Sequence, residues 1–411
     1  MFLRVVESNL RGGDTYFAPG TFNFLLVCRR WNEVAVGFPL LWGLWIAGAV
    51  KAWPLFNSRS KGGPVSLMWQ YRLPNSAQDI LTDPTISRRI HQLDFSGDSN
   101  QLDCILSAFD LSHPSNVSSI RLQIDMYDEE PQERLTRFLS SPFPKLSKLN
   151  IGNFLPNFSS PVFTTSKLTS LKLFLPYEEK GRYTLDQFSQ ILQRHPTLQK
   201  LDLNHGAIPL PRTSGTLAPF VLSRLVDLRL HGTEGAIFRF IDLIGMSSPL
   251  HNVVIHFGRI PDSTAPVLAS IMEKILVAYY NCQGLDHPRR IDSLTVSLRS
   301  KERLVFDARS HSTPMSNLKL RFPWGGGLVW HRAVEGAFAF FPSKDIREFT
   351  IEELPLTGTM LQKMKDLSHL HLCGHDNQNI WHALGTLSLG NQGASNQIYR
   401  EAWNHMHITY S

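Results

Sequence analysis

One apolar frame recurs along most of this chain, and it restricts the possible folds more than any other feature of the sequence. The frame reads L-x-x-L-x-L, where L stands for any large apolar residue, and it is clear in residues 168–173 and 225–230. Nine of the ten separations between successive copies lie between 21 and 31 residues. A short apolar motif repeated at this period predicts stacked units that bury their motifs against one another. The eleven copies begin at Ile90, Val117, Leu146, Leu168, Leu198, Leu225, Leu250, Ile291, Met315, Ile346 and Leu367.

The residues inside the frame indicate what each copy forms. In ten of the eleven copies the residue between the last two apolar positions is polar or charged, although 42% of the chain is hydrophobic. This alternation predicts a strand with one face in the core and the other in water. Helix-compatible stretches separate the strands, and Thr184 is the expected N-cap of one that ends before Pro196. These stretches are residues 101–109, 132–139, 184–194, 236–246, 265–280 and 328–341.

This pattern resembles leucine-rich repeat proteins of the irregular kind, because the Asn that follows the strand in regular repeats is missing from nearly every copy. The resemblance implies an α/β fold, a right-handed solenoid whose strands form a parallel sheet along the concave surface. The separation of 41 residues after Leu250 predicts an insertion on the convex side that carries the helix of residues 265–280. A Rossmann-like α/β domain is the alternative. It requires a Gly-rich phosphate turn, and neither GxGxxG nor GxxxxGK[ST] occurs in the sequence.

The N-terminal segment carries a second pattern. Residues 24–35 read F-L-L-V-C-R-R-W-N-E-V-A and place Phe24, Val27, Trp31 and Val34 on one face of a helix. With the Leu-Trp pair at residues 41–42, they resemble the second half of an F-box, as found in the F-box proteins common in mushroom-forming fungi. Residues 1–21 contain no Leu-Pro-x-Glu opening, so the resemblance covers only that half. An ordinary amphipathic helix packed on the core is the other interpretation of this periodicity.

The two resemblances divide the chain into four expected parts. Residues 1–57 are expected to form a small all-α partial F-box, and residues 58–89 a linker or a first irregular repeat. The solenoid is expected to span residues 90–375, and residues 376–411 to form a C-terminal cap or tail. Within the linker, residues 65–69 read V-S-L-M-W and are a candidate for a first irregular strand.

Composition argues against several classes of protein. A formal net charge of +6 without any dense basic stripe disfavours nucleic-acid binding. The four cysteines are far apart and form no CxxC pair, which favours a reducing compartment, so we expect cytoplasmic and/or nuclear localisation. The longest apolar stretch has 11 residues, where a membrane span needs about 20, so no membrane association is expected.

The sequence contains no motif typical of catalysis, such as GxSxG or HExxH, so we expect a protein that is not an enzyme and needs no cofactor. One candidate metal site is the alternating series His369, His371, Cys373 and His375, since alternate residues of a strand share a face. The repeat frame already explains these residues as the polar face of a strand. We therefore predict neither catalytic nor metal-binding residues.

The F-box resemblance implies a substrate receptor of an SCF-type (cullin-RING) ubiquitin ligase. Such a protein binds a Skp1-type adaptor, and through it the cullin, with its F-box, and it binds a target protein with its repeats. The alternative is a protein-interaction scaffold that has no association with the ligase. The residues implied in adaptor binding are Leu26, Val27, Trp31, Val34, Leu41 and Trp42.

The target is expected to bind the outward positions of the strands, because the apolar positions are used between repeats. The outward positions from the middle of the array onward carry more basic than acidic residues, with Asp202 and Asp227 as the only acids on that strip between Lys148 and Arg321. This excess predicts an acidic or phosphorylated target, with Arg229 as a bidentate contact and Phe174 as an apolar anchor. The predicted target-binding residues are Lys172, Phe174, Lys200, Asp202, Arg229, His231, Lys319 and Arg321.

Overall fold

The fold is known from a computed structural model of the chain. It describes residues 28–46, 53–70, 86, 88–108, 116–124, 132–164, 167–175, 184–208, 220, 222–244, 250–258, 270, 272–276, 291, 293–299, 303–310, 317–323, 345–352, 354, 360, 364, 366–373 and 407–410. The chain divides into two compact units, Met1–His195 and Pro196–Ser411. We call them the first and the second unit.

The first unit is a parallel sheet whose strands follow one another in chain order. Strands β1 to β6 are neighbours in that order, and each pairs in parallel with the next. The elements are α1 (Arg29–Val36), α2 (Pro39–Trp42), β1 (Leu44–Ile46), α3 (Trp53–Arg59), β2 (Val65–Gln70), β3 (Ile90–Gly97), α4 (Ser99–Ala108), β4 (Ser119–Ile124), α5 (Gln132–Leu139), β5 (Lys148–Gly152), α6 (Pro161–Thr164), β6 (Ser170–Leu175) and α7 (Leu185–Arg194).

The second unit contains the same kind of strand in a different order. Its elements are β7 (Lys200–His205), β8 (Asp227–Gly232), α8 (Glu234–Ile244), β9 (Asn252–Phe257), β10 (Ser293–Arg299), β11 (Arg303–Arg309), β12 (Asn317–Pro323), β13 (Glu348–Glu352), β14 (His369–Cys373) and β15 (His407–Tyr410). The strands lie in the order β7-β8-β9-β12-β11-β10-β13-β14-β15.

The predicted α/β fold with strands stacked in parallel is confirmed. Every frame residue that the structure describes is buried, with at most 6% of its surface exposed, and only Met315 lies outside the described residues. Neighbouring copies of the frame are in register, so that Leu149 lies between Ile120 and Leu171. Each strand therefore buries its apolar side chains against the same positions of the strands beside it.

The helices agree with the expected ones where they are described. The helix α5 has the predicted bounds, and Thr184 caps α7 in a capping box with Gln187. From the stretch of residues 265–280, residues 270 and 272–276 are helical, and residues 328–341 lie outside the described residues. Lys274 lies over the ring of Phe238 at 4.7 Å, so this part of the insertion packs beside α8.

The strand β2 confirms the candidate irregular strand in the predicted linker. The N-terminal segment is not entirely helical, because β1 follows α2 and pairs in parallel with β2. Gly43 makes this turn possible, since a Cβ atom built there would lie 2.1 Å from the backbone oxygen of Pro64. The close approach of these two backbones requires glycine.

The strand β11 was not predicted and changes the order of the sheet. Three residues separate β10 from β11, and so short a connection permits only an antiparallel pair. The strand β12 then returns antiparallel to β11, and it pairs in parallel with β9. Consequently the frame strands of the second unit keep one direction, and β11 alone among the described strands of that unit runs against it.

Hydroxyl groups join the starts of several strands of the first unit. Ser118 Oγ donates to the carbonyl of His91 at 3.0 Å, Ser147 Oγ to that of Ser118 at 3.1 Å, and Thr169 Oγ1 to that of Ser147 at 3.0 Å. All four residues occupy the second position of the frame. At the other end of β5, Asn153 Nδ2 donates to the carbonyl of Ile124 at 2.8 Å. These bonds satisfy backbone oxygens at the ends of the strands.

The first prediction concerns the buried frame. We expect Leu149→Ala to lower the free energy of unfolding by about 3 kcal/mol, because it removes buried methyl groups and leaves a cavity. The neighbouring exposed Lys148→Ala is the control and should change it by less than about 0.5 kcal/mol. Chemical denaturation followed by circular dichroism measures both. Equal effects of the two substitutions would contradict the burial pattern.

Candidate functional site

The exposed large apolar side chains of the described residues are concentrated in the N-terminal segment. They are Trp31, Val34, Phe38, Leu40 and Leu55, with 38% to 57% of their surfaces exposed. Scattered exposed apolar residues are normal, whereas a concentration in one segment indicates a contact surface. We call these five residues the apolar patch.

The helix α1 turns its largest apolar side chain, Trp31, and one of its two valines outward. Trp31 and Val34 lie one turn apart and are exposed, whereas Ala35 is the buried residue of this helix. An amphipathic helix packed on the core would bury the larger residues instead. On the polar side, Arg29 Nε donates to Glu33 Oε1 at 3.0 Å, one turn along the helix.

Trp42 holds this segment in place. Its indole Nε1 donates to the carbonyl of Ala35 at 2.7 Å, its ring lies 5.8 Å from that of Phe56, and Arg59 stacks over it at 4.5 Å. Leu41 and Trp42, two of the predicted adaptor-binding residues, are only 4% and 2% exposed. In this structure they support the segment from inside, while Trp31 and Val34 face outward. Leu26 and Val27 lie outside the described residues.

The polar face of the sheet in the second unit brings together most of the predicted target-binding residues. Along β7, β8, β9 and β12 the outward residues form rows across the strands, and the register places Asp202 beside Arg229 and Val254 beside both Arg229 and Lys319. Lys200 and Arg229 are exposed, and the others are partly exposed. The predicted residues on this face are Lys200, Asp202, Arg229, His231, Lys319 and Arg321. We call it the second-unit face.

Lys172 and Phe174 belong to β6 in the first unit. Lys172 lies beside Asn150, and Phe174 lies beside Gly152, and both side chains are partly exposed. On the same face, Arg121 Nη1 lies 3.4 Å from Asp94 Oδ2, and the Asp94 carboxylate is largely buried. Phe174 and Lys172 therefore lie on a polar sheet face, as the frame predicts.

The second-unit face carries a buried carboxylate that the sequence did not predict there. The prediction that Asp202 and Asp227 are the only acids among the outward positions between Lys148 and Arg321 is wrong, because β11 places Asp307 beside Lys319. Arg309 donates to the Asp307 carboxylate through Nε at 3.0 Å and Nη2 at 3.1 Å, and Lys319 Nζ donates to it at 2.8 Å. Burial alone would raise the pKa of Asp307, but the hydrogen bonds and charges of its two partners outweigh burial and lower it.

Arg229 also has an internal partner. Its Nε lies 3.3 Å from Asp227 Oδ1, which accepts a second hydrogen bond from Asn252 Nδ2 at 2.8 Å. A ligand that binds Arg229 must therefore compete with Asp227. Because Arg229 and Lys319 both have carboxylate partners, the net positive charge of this face is smaller than a count of its basic residues suggests.

One row of the second-unit face combines two imidazoles and a guanidinium. His231, His256 and Arg321 are in register on the neighbouring strands β8, β9 and β12. The rings of His231 and His256 are stacked, with centroids 4.0 Å apart and planes 12° apart. His256 was not among the predicted site residues, although it occupies the same frame position as His231. Its closeness to Arg321 has no signal in the sequence, because β10 follows β9 in the chain.

Among the residues that the structure describes, no group of three or more His, Cys, Asp or Glu side chains is arranged to hold a metal ion. His369, His371 and Cys373 alternate along β14, and His375 lies outside the described residues. Among the described helices, none combines the length and the apolar character needed to cross a membrane.

Four chains of solved structures are similar to this one, and one of them is described here. The chain is similar to the leucine-rich repeat-containing protein LegL7 from Legionella pneumophila, with 12% identity and a TM-score of 0.30 over 84% of this chain and 87% of that chain. No protein-family model and no curated protein sequence matches the chain. The repeat architecture described above rests on the strand register and the burial of the frame.

The second prediction concerns Asp307. We expect Asp307→Asn to lower the free energy of unfolding by about 2 kcal/mol at pH 7, since hydrogen bonds to a charged group contribute about 1.5–3 kcal/mol. A carboxylate whose pKa is lowered in the folded protein stabilises it above the unfolded pKa of about 3.9, and this contribution is lost as the pH falls through the folded pKa. The difference between the two proteins should therefore be constant from about pH 7 to 5 and shrink below about pH 4.

Denaturation at several pH values measures this difference. Asp202→Asn is the control, because Asp202 is more exposed than Asp307 and accepts a hydrogen bond from a neutral amide, Asn204 Nδ2, at 3.3 Å. A difference that does not change below about pH 4 would show that the Asp307 charge does not stabilise the fold.

Proposed function

We propose that this protein is the substrate-recognition subunit of an SCF-type ubiquitin ligase. In this proposal the apolar patch docks on a Skp1-type adaptor, which connects the protein to the cullin. The second-unit face binds the target protein. Catalysis takes place in partner subunits, so the chain itself needs no catalytic residues.

The observation that carries the proposal is the position of the apolar patch. The helix α1 carries residues that resemble an F-box. Two of them, Trp31 and Val34, are exposed although both are large and apolar. Fully burying an exposed side chain of this size contributes roughly 1.5–3 kcal/mol, and about half of the surface of Trp31 and Val34 is still exposed. A partner with an apolar surface would bury the remainder, and aromatic residues are common anchors of such interfaces.

The second-unit face supports the target-binding part. It offers arginine, lysine, histidine and carboxylate side chains in rows across several strands, with Val254 as an apolar residue between Arg229 and Lys319. Repeat proteins typically use such extended strand faces to bind partners, because their apolar positions are buried between neighbouring repeats.

A scaffold without ligase association is the second candidate. It would use the same second-unit face for binding but would not bind the adaptor. The burial of Leu41 and Trp42, two of the residues implied in adaptor binding, favours this alternative, because buried side chains do not contact a partner. Adaptor binding therefore separates the two candidates.

The third prediction is that the intact chain binds a purified Skp1-type adaptor and that Trp31→Ala weakens this binding by about 30-fold or more. An interface anchor of this kind contributes about 2 kcal/mol, which corresponds to that factor. Val34→Asp should weaken binding at least as much, because it places a charge in an apolar contact. Biolayer interferometry with immobilised adaptor measures both affinities.

Glu33→Gln is the matched control, because Glu33 lies on the same helix, on the side where it pairs with Arg29. This variant should bind the adaptor within about twofold of the parent, as expected for an exposed ion pair. No binding by the intact chain would overturn the ligase proposal and leave the scaffold. Equal losses in the Glu33 and Trp31 variants would show that the apolar patch is not the docking surface.

A further inference from the structure

The row of His231, His256 and Arg321, which we call the His-His-Arg row, differs from the rest of the second-unit face. Neighbouring strands of a sheet lie about 4.8 Å apart, so these three side chains extend over roughly 10 Å on one side of the sheet. Each can present N–H donors, and none of the three carries an acidic group. Stacking keeps the two imidazole rings parallel at 4.0 Å and fixes their orientation relative to each other.

Internal carboxylates already pair with three other cations of this region. Asp227 lies beside Arg229, and Asp307 binds both Arg309 and Lys319. In the part of the chain that the structure describes, no ion pair or hydrogen bond involves the side chain of Arg321. Arg321 is nevertheless partly buried. A partly buried cation without a counter-charge favours an anion as its ligand, because burial removes some of its hydration.

The nearby charged groups determine where an anion can bind. The outward residues of the adjacent row are Asp202, Arg229, Val254 and Lys319, and the other nearby carboxylates are Asp227 and Asp307. All three carboxylates accept hydrogen bonds from cations or from an amide. The row itself therefore carries no acidic side chain, and the nearest acids are engaged one or two rows away.

We propose that the His-His-Arg row binds a phosphorylated side chain of the target protein. The inference rests on the proposed target-binding role of the second-unit face, and it is independent of adaptor binding. A phosphomonoester carries a charge of about −1.5 to −2 at pH 7 and three strong acceptor oxygens. The Arg321 fork binds two of these oxygens and the imidazole N–H groups bind the remaining lone pairs.

The number of donors distinguishes phosphate from carboxylate. A carboxylate has two oxygens, which one arginine fork can satisfy by itself. The two stacked imidazoles beside Arg321 then have no role in binding it. A phosphate group uses all three side chains, so the phosphorylated form of a peptide should bind more tightly than its glutamate counterpart.

The test uses dye-labelled peptide libraries of degenerate sequence that differ only in a central phosphoserine, serine or glutamate. Fluorescence anisotropy at low salt measures their binding to the full chain. We expect the phosphoserine library to bind about tenfold more tightly than the glutamate library, and the serine library to bind least. Arg321→Gln should weaken phosphoserine binding by about tenfold or more, and His231→Gln and His256→Gln each by a few-fold.

Arg224→Gln is the matched control. Arg224 is exposed in the second unit and lies outside the predicted target-binding residues, so its loss reports the general loss of charge attraction and should change affinity by less than about threefold. Arg321→Lys keeps the charge but loses the fork, and we expect an effect between those of the parent and Arg321→Gln. Thermal denaturation of each variant checks that the fold is retained.

Several results would overturn the proposal. Equal binding of the serine and phosphoserine libraries would exclude phosphate recognition, and equal binding of the glutamate library would make the ligand an acidic segment. A single-stranded oligonucleotide that displaces the phosphoserine library at lower concentration would indicate a nucleic-acid ligand. Equal losses in Arg321→Gln and Arg224→Gln would show that general charge attraction, and not the His-His-Arg row, holds the peptide.

The adaptor experiment separates this site from the ligase role. If Arg321→Gln loses phosphoserine binding but keeps adaptor affinity, both proposals stand. If the intact chain binds the adaptor but does not distinguish the libraries, only the phosphate site is refuted. If phosphoserine binding is selective and the adaptor does not bind, the protein is a phosphate-reading scaffold.

Discussion

Burial of the frame side chains between neighbouring strands and helices is the interaction on which the rest of this structure depends. No single copy of the frame can cover its own three apolar residues, so each strand needs the next one beside it and in register. In the first unit this alignment runs from Ile120 through Leu149 to Leu171, all of them buried. Because the apolar side of every strand is occupied in this way, only the opposite side remains for binding.

Register also organises the polar groups. The hydroxyls of Ser118, Ser147 and Thr169 form a chain of hydrogen bonds because the second frame position recurs at the same height in successive strands. The same periodicity creates the rows of the second-unit face. Each row therefore brings together residues from distant parts of the chain, at a spacing that the hydrogen-bonded strands fix.

Charge on the second-unit face depends on these rows as well. Asp307 pairs with Arg309, which lies two residues further along β11. Because β11 lies beside β12, Asp307 also pairs with Lys319. Arg321, two residues further along β12, lies beside His256 instead. Two basic residues of one strand thus have different roles, one in internal charge balance and the other in the candidate anion site.

The sequence alone determined the positions of the eleven frame strands, the buried frame and most helices, because alternation and capping are local properties. It also located the N-terminal helix α1, through residues such as Trp31. Only the tertiary structure decided that Leu41 and Trp42 are buried, that β11 inserts between β12 and β10, and that His256 lies beside Arg321. Chain order would have placed β10 next to β9. The short hairpin connection forces β10 and β11 to pair antiparallel. The 35 residues between Phe257 and Ser293 are long enough to pass over two strand positions. Sequence periodicity contains no information on which neighbour a strand selects.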